Sequence, residues 1–204
     1  TINDDILTKN EDKQFYNILK KIIPNYDLVI VSDYGHGLIS SKSANLISKL
    51  SKYSAVNAQV NAANVGYHSM RNYKKIDCVI INEKEIRHEL RDRNGTINDL
   101  MKRLSQEQNI KNLVVTRGTR GSVLYNKKNR KFIMCDAYAR TSIDKIGAGD
   151  AMLSAISLCL KCGLHKDLSL LIASLAAAQS VMTIGNKETI NKDKILKSLK
   201  NILK

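Results

Sequence analysis

A chain of 204 residues with 43% apolar and 25% charged side chains can bury one core and is too apolar for a disordered protein. Its formal charge of +14 is carried mostly by scattered lysines; with few aromatics, no Arg-rich block and no nucleic-acid motif, it reads as a surface that attracts small anions, and nucleic acid is not an expected partner. Four cysteines imply no disulfide framework, and neither a leader peptide nor a bilayer-spanning apolar run is found, so the expected location is the cytoplasm with no membrane partner.

The first element is a helix over residues 13–23, where Phe15, Ile18, Leu19, Ile22 and Ile23 recur at helical spacing before Pro24 stops it. Residues 27–33 form a continuous β-branched run of the kind buried on both faces of a parallel sheet, broken at Tyr34-Gly35-His36-Gly37. Ser40 or Ser41 can cap a helix running to about Tyr53, followed by a short strand over residues 55–59, a polar stretch, and a buried strand over 78–81. Helices are predicted over 83–91 and 97–108, then a strand over 113–116, a hairpin of 122–125 with 131–135, and helices over 147–161, 167–183 and 192–203. Cys159 and Cys162 lie on the first of these last three helices without a second ligand pair, which makes them packing residues rather than a metal site. Asn94-Gly95-Thr96 reads as a turn. Alternating strands and helices predict an α/β layered domain with a mainly parallel sheet, without internal repeats or an evident boundary.

In such a sheet ligands gather at the carboxyl ends of the strands, and here each strand ends in polar or glycine-rich residues. Asp33 and Gly35 end the first and could approach a sugar, with His36 beside them; the alternative is a plain strand-ending turn. Asn57, Gln59, Asn61 and Asn64 follow the second, and their amides suit recognition of neutral hydroxyls or satisfaction of their own loop. The stretch 144–150, Asp-Lys-Ile-Gly-Ala-Gly-Asp, precedes a long apolar helical run. The small residues Gly147, Ala148 and Gly149 bring backbone N–H groups and a helix N-terminus to one point, a cradle for phosphate. Asp150 then makes chemical sense as the base that takes a proton from an attacking hydroxyl, while the cradle holds charge on the group in flight.

The stretch 144–150 resembles the second signature of the ribokinase or PfkB-type carbohydrate kinases, with Lys145 where threonine is usual. Asn82-Glu83-Lys84-Glu85 is similar to the same family's Asn-x-x-Glu motif, which assigns Asn82 and Glu85 to the hydrated Mg2+ and phosphate network; a helix-capping pair is the structural alternative. Thr116-Arg117-Gly118-Thr119-Arg120-Gly121 resembles the nucleotide-contacting loop, which puts Thr116 and Gly118 near phosphates or ribose and lets Gly121 turn the chain. Arg117 and Arg120 either meet phosphates or stay solvated. Ser174 lies on the helix that the resemblance sets beside adenine, where small residues equally permit close helix packing. These motifs run in the family's order over nearly the whole chain. The stretches 33–37, 56–64 and 85–87 look nearest to a branch related to heptose-phosphate kinases, whose members are associated with a nucleotidyltransferase domain and surface-polysaccharide synthesis.

The resemblance therefore implies a ribokinase-like three-layer α/β/α fold, ATP and Mg2+, and phosphoryl transfer to a sugar or sugar phosphate. The family's N-terminal portion, with its Gly-Gly sugar motif and β lid, is not found, so residues 1–204 are expected to be the C-terminal, nucleotide-binding part of the kinase domain. Expected partners are the sugar, the missing N-terminal half, a nucleotidyltransferase domain or a second copy in a homodimer. The rival reading is a non-catalytic nucleotide-binding remnant or assembly module without the lid.

Overall fold

A computed structural model describes residues 6–59, 69–139, 147–182 and 189–202. One six-stranded sheet carries the molecule, in the order β1 (Val29–Asp33), β2 (Ser54–Ala58), β3 (Cys78–Asn82), β4 (Asn112–Thr116), β5 (Ser122–Asn126) and β6 (Lys131–Cys135). The first four strands are parallel, and β4, β5 and β6 pair antiparallel. The parallel strands consequently deliver Asp33, Ala58, Asn82 and Thr116 to one edge, where Thr116 faces Ser122 and Ser122 faces Cys135.

The strands are apolar at nearly every position because both faces are covered. On one face Val56, Val79, Ile81, Leu113 and Val115 pack under α2 (Ser41–Leu50), α3 (Glu83–Glu89) and α4 (Ile97–Gln108), with α1 (Lys9–Ile22) lying against α2. On the other, Ala55, Cys78, Ile80, Val114 and Leu124 meet Met152, Leu153, Ile156, Leu170 and Ala173 of α5 (Ala148–Lys161) and α6 (Lys166–Val181). The period-2 side-chain alternation divides one apolar run between two cores. Helix α7 (Lys192–Ile202) packs on α6.

Most predicted elements fall within two residues of their expected bounds, and the exceptions have local causes. Helix α2 stops at Leu50 rather than near Tyr53 because Ser51 takes an extended conformation and its hydroxyl donates to the Ile47 carbonyl at 2.7 Å. Helix α1 starts four residues early because Thr8 and Glu11 form a capping box. Helix α3 ends at Glu89, and Arg91 then turns left-handed with φ 50°. Cys78 is wholly buried in the core, which pushes its thiol up to about 12. Cys159 is half-buried and its thiol is also raised, by burial first and then by Cys162, whereas Cys162 is the C-cap of α5 and is exposed, so it does not pack on the helix face as expected. Among the described residues no helix is long and apolar enough to cross a membrane.

Candidate active site

The carboxyl edge of the sheet opens into a cleft of about 900 Å³ between the β4–β5 turn and the heads of α3 and α5. Four helices, α1 to α4, begin with a side chain closing their first turn: Thr8, Ser40, Asn82 and Thr96. Helix α5 does not. Its N-cap is Gly147 at φ 83°, with no side-chain cap, so the N–H groups of its first turn face the cleft with the positive end of the helix. Gly147 is glycine for its backbone angle, whereas Gly149 is helical and a Cβ there would meet nothing within 4 Å. Nothing among the described residues demands a glycine at 149, and its bare backbone leaves the head of α5 open toward the cleft.

Asp150 sits in that first turn and lines the cleft. Its carboxylate is aimed by two donors from the end of β1: Ser32 Oγ donates to Oδ1 at 2.6 Å and Tyr34 Oη to Oδ2 at 2.9 Å. Ser32 pulls the Tyr34 hydroxyl down, but the bond to Asp150, burial and the carboxylate charge outweigh it and hold it above its ordinary value, so Tyr34 stays a donor. Neither partner was assigned a role from sequence. The available signal was a serine interrupting an otherwise β-branched strand just before the acidic strand end.

Asp33 is placed differently from its neighbours. It is 6% exposed, accepts from Tyr73 Oη at 2.5 Å and from Gly35 N at 2.9 Å, and neither Asp33 nor Gly35 lines the cleft. The pair forms an Asx-type turn, with Gly35 at φ 72°. Asn57 and Gln59 do line the cleft; Asn57 Nδ2 donates to the Ile80 carbonyl at 2.8 Å, while its buried Oδ1 has no partner among the described residues. Asn61 and Asn64 lie outside the described residues.

Asn82 and Glu85 form the capping box: Asn82 Oδ1 accepts from Glu85 N at 2.8 Å, and Glu85 Oε2 from Asn82 N at 2.9 Å. Both line the cleft, so the cap presents an amide and a carboxylate at its wall. No group of three or more His, Cys, Asp or Glu side chains that could hold a metal occurs among the described residues. Asn82 and Glu85 are the oxygen-bearing side chains at this wall that could hold a cation.

Glu83, missed from sequence, anchors the turn between β4 and β5. Its carboxylate accepts from Arg87 at 3.0 Å, Arg117 at 3.1 Å and Arg120 at 2.7 Å. Burial pushes the Glu83 carboxyl up, yet the bonds from Arg87 and Arg117 and the charges of Arg120 and Arg117 outweigh it and hold it below the usual range. The guanidiniums of Arg117 and Arg120 are thereby ordered rather than simply solvated, with Arg120 still 61% exposed. Gly118 adopts φ 59° beside open space, whereas a Cβ on Gly121, at φ 74°, would stand 2.0 Å from the Cys135 carbonyl oxygen. Ser174 Oγ lies 3.2 Å from Ser122 Oγ, and Ser174, Ala177 and Ala178 form a small-residue wall of α6.

The sequence profile of the pfkB family carbohydrate kinase matches residues 3–193. This chain belongs to that family. Among proteins, the pfkB-family chain is 27% identical over 190 residues to the bifunctional protein HldE of Campylobacter fetus, covering 92% of this chain and 38% of that protein. Among solved structures, phosphofructokinase-2 from Escherichia coli in complex with potassium superposes with a TM-score of 0.78 at 16% identity, covering 98% of this chain and 64% of that one. Arabidopsis thaliana ribokinase complexed with ribose and ATP gives 0.67 at 20%, covering 96% and 60%. The pfkB-family chain thus has the ribokinase-like three-layer fold, and it spans well under half the length of the HldE relative.

Proposed function

We propose that this chain carries the nucleotide and phosphoryl-transfer half of a sugar kinase site, which moves a phosphoryl group from ATP to a hydroxyl of a sugar or sugar phosphate. The observation that carries the reading is Asp150: a carboxylate aimed by Ser32 and Tyr34, set in the first turn of a helix left open by Gly147, in a cleft shared with the Thr116 to Gly121 turn. A carboxylate so placed accepts the acceptor's hydroxyl proton as the oxygen attacks. The N–H groups of Gly147, Ala148 and Gly149 are the donors suited to negative charge on the transferred group.

Thr116 and Gly118 line the same cleft as Asp150, which supports contact with a nucleotide's phosphates or ribose, and the small side chains of Ser174, Ala177 and Ala178 leave room for a base. Asn82 and Glu85 would hold magnesium, directly or through its water. When bound, the ion would neutralise phosphate oxygens and align them. Asn57 and Gln59 supply neutral polar contacts at the neighbouring strand end, the kind suited to sugar hydroxyls.

The test is Asp150→Asn in the longest natural form of the protein, with ATP, magnesium and a panel of hexose and heptose phosphates. Turnover is expected to fall by about 10²–10⁴-fold, the range for a general base, with the dissociation constant for MgATP nearly unchanged. Equal loss of both would contradict the role of Asp150. Nucleotide binding without turnover of any sugar by the parent protein would instead indicate a non-catalytic nucleotide module.

A further inference from the structure

The opposite end of the sheet holds a second cleft, of about 600 Å³. The strand register separates the two: Asn112 opens β4 and Asn126 closes β5 opposite it, whereas Thr116 and Ser122 pair at the ends that face Asp150. Four lysines line this second cleft, from three parts of the chain: Lys111 before β4, Lys127 and Lys128 in the β5–β6 turn, and Lys166 in the first turn of α6. No lining residue is acidic. Lys111 pairs with Asp77 at 2.6 Å and Lys127 Nζ donates to Asn109 Oδ1 at 2.6 Å, while Lys128 and Lys166 have no ion pair among the described residues. Asp167, next along α6, is paired with His165 at 2.7 Å.

Beneath the lysines lies a built polar floor. Ser54 N donates to Asp77 Oδ2 at 2.9 Å, Asn112 Nδ2 to the Asp77 carbonyl at 3.0 Å, and Asn126 Nδ2 to Asn112 Oδ1 at 2.7 Å, all buried. The Tyr53 hydroxyl is shut off from water and, among the described residues, makes no hydrogen bond of ordinary geometry, although the Asn112 side chain adjoins it. Leu160 and Leu164 form an apolar wall.

We propose that this cleft is a second, non-catalytic binding site for a small phosphorylated metabolite. Converging cations without a lining carboxylate select a multiply charged anion, and the concavity and apolar wall suit a metabolite-sized body rather than a flat macromolecular surface. The site stands independently of the kinase reading. One helix links it to the machinery of that reading, because α5 carries Asp150 in its first turn and Leu160 in its last.

The probe is inorganic pyrophosphate, titrated into the full ¹⁵N-labelled chain. The side-chain amides of Asn112 and Asn126 are expected to shift saturably. Replacing Lys127, Lys128 and Lys166 together by Gln should weaken binding at these amides by at least about tenfold, whereas replacing Lys192, Lys197 and Lys200 by Gln, which removes the same charge from α7, should change it less than about twofold. Lys166→Gln alone, expected to weaken binding about threefold, keeps the test open if the triple variant folds poorly. Unmoved Asn112 and Asn126 signals, or equal loss in the two triple variants, would overturn the proposal. The backbone signals of Thr116 and Gly149 report the first cleft separately, so the two sites can fail independently.

Discussion

Asp150 owes its direction to two hydroxyls that lie 118 and 116 residues away in the chain. Removing both, as Ser32→Ala with Tyr34→Phe, is expected to lower kcat by roughly tenfold through lost orientation while leaving MgATP affinity within about twofold; an unchanged kcat would mean that the carboxylate is positioned by something else. The glycines divide in the same way between fold and ligand. Gly149→Ala should stabilise the free protein by about 0.5–1 kcal/mol, as Ala does over Gly in a helix, yet weaken nucleotide binding by crowding the cradle. Gly121→Ala should destabilise by about 2 kcal/mol or more, because its Cβ would meet the Cys135 carbonyl at a φ that alanine avoids. Thermal melts and ATP titrations on the two variants separate these cases. Glu83 makes a pH prediction: its folded-state value is lowered, so its contribution is present above the ordinary glutamate range and disappears as pH falls through the lowered value. Glu83→Gln should therefore lose stability at neutral pH and show a shallower loss than the parent on acidification below about pH 4.3.

At the level of elements, α5 is both the support of the site and a wall of the core. Leu153, 1% exposed, packs on the sheet face formed by Ile80 and Val114, whereas Leu158 on the same helix is 57% exposed. Leu153→Ala is expected to cost about 2–5 kcal/mol and Leu158→Ala within about 0.5 kcal/mol, measured by denaturant unfolding. Helix positions were readable from sequence because caps and apolar spacing act within one or two turns: α4 begins at Ile97 as expected, with Thr96 as its N-cap. The strands were readable as buried on both faces. Which face each residue takes became definite only once helices covered both sides, as Val79 and Ile80 show by belonging to different cores.

For the whole molecule, a ligand that binds only the folded state must raise its melting temperature. At a hundredfold excess of MgATP over its dissociation constant the stabilisation is about 2.7 kcal/mol, which for a chain of this size corresponds to roughly 5–10 °C. Calorimetric scans with and without MgATP check this, and Asp150→Asn should retain the shift. The formal charge of +14 belongs to this scale too. The structure gathers four of the lysines around one cleft and commits Arg87, Arg117 and Arg120 to Glu83 at another, so the surplus is organised rather than uniformly spread.

By itself the sequence determined the order of elements, the α/β class, and the motifs at 82–85, 116–121 and 147–150, because periodicity, capping and glycine turns are encoded by residues a few positions apart. Only the tertiary structure decided which side chains meet. It joined Asp33 to Tyr73, brought Ser32 and Tyr34 to Asp150, and drew Arg117 and Arg120 to Glu83 across 34 and 37 residues. The Glu83 pairings follow from parallel register, which sets Asn82 beside Thr116, and those of Asp150 and Asp33 from the packing of α5 and of Tyr73 against the end of β1 regardless of separation along the chain.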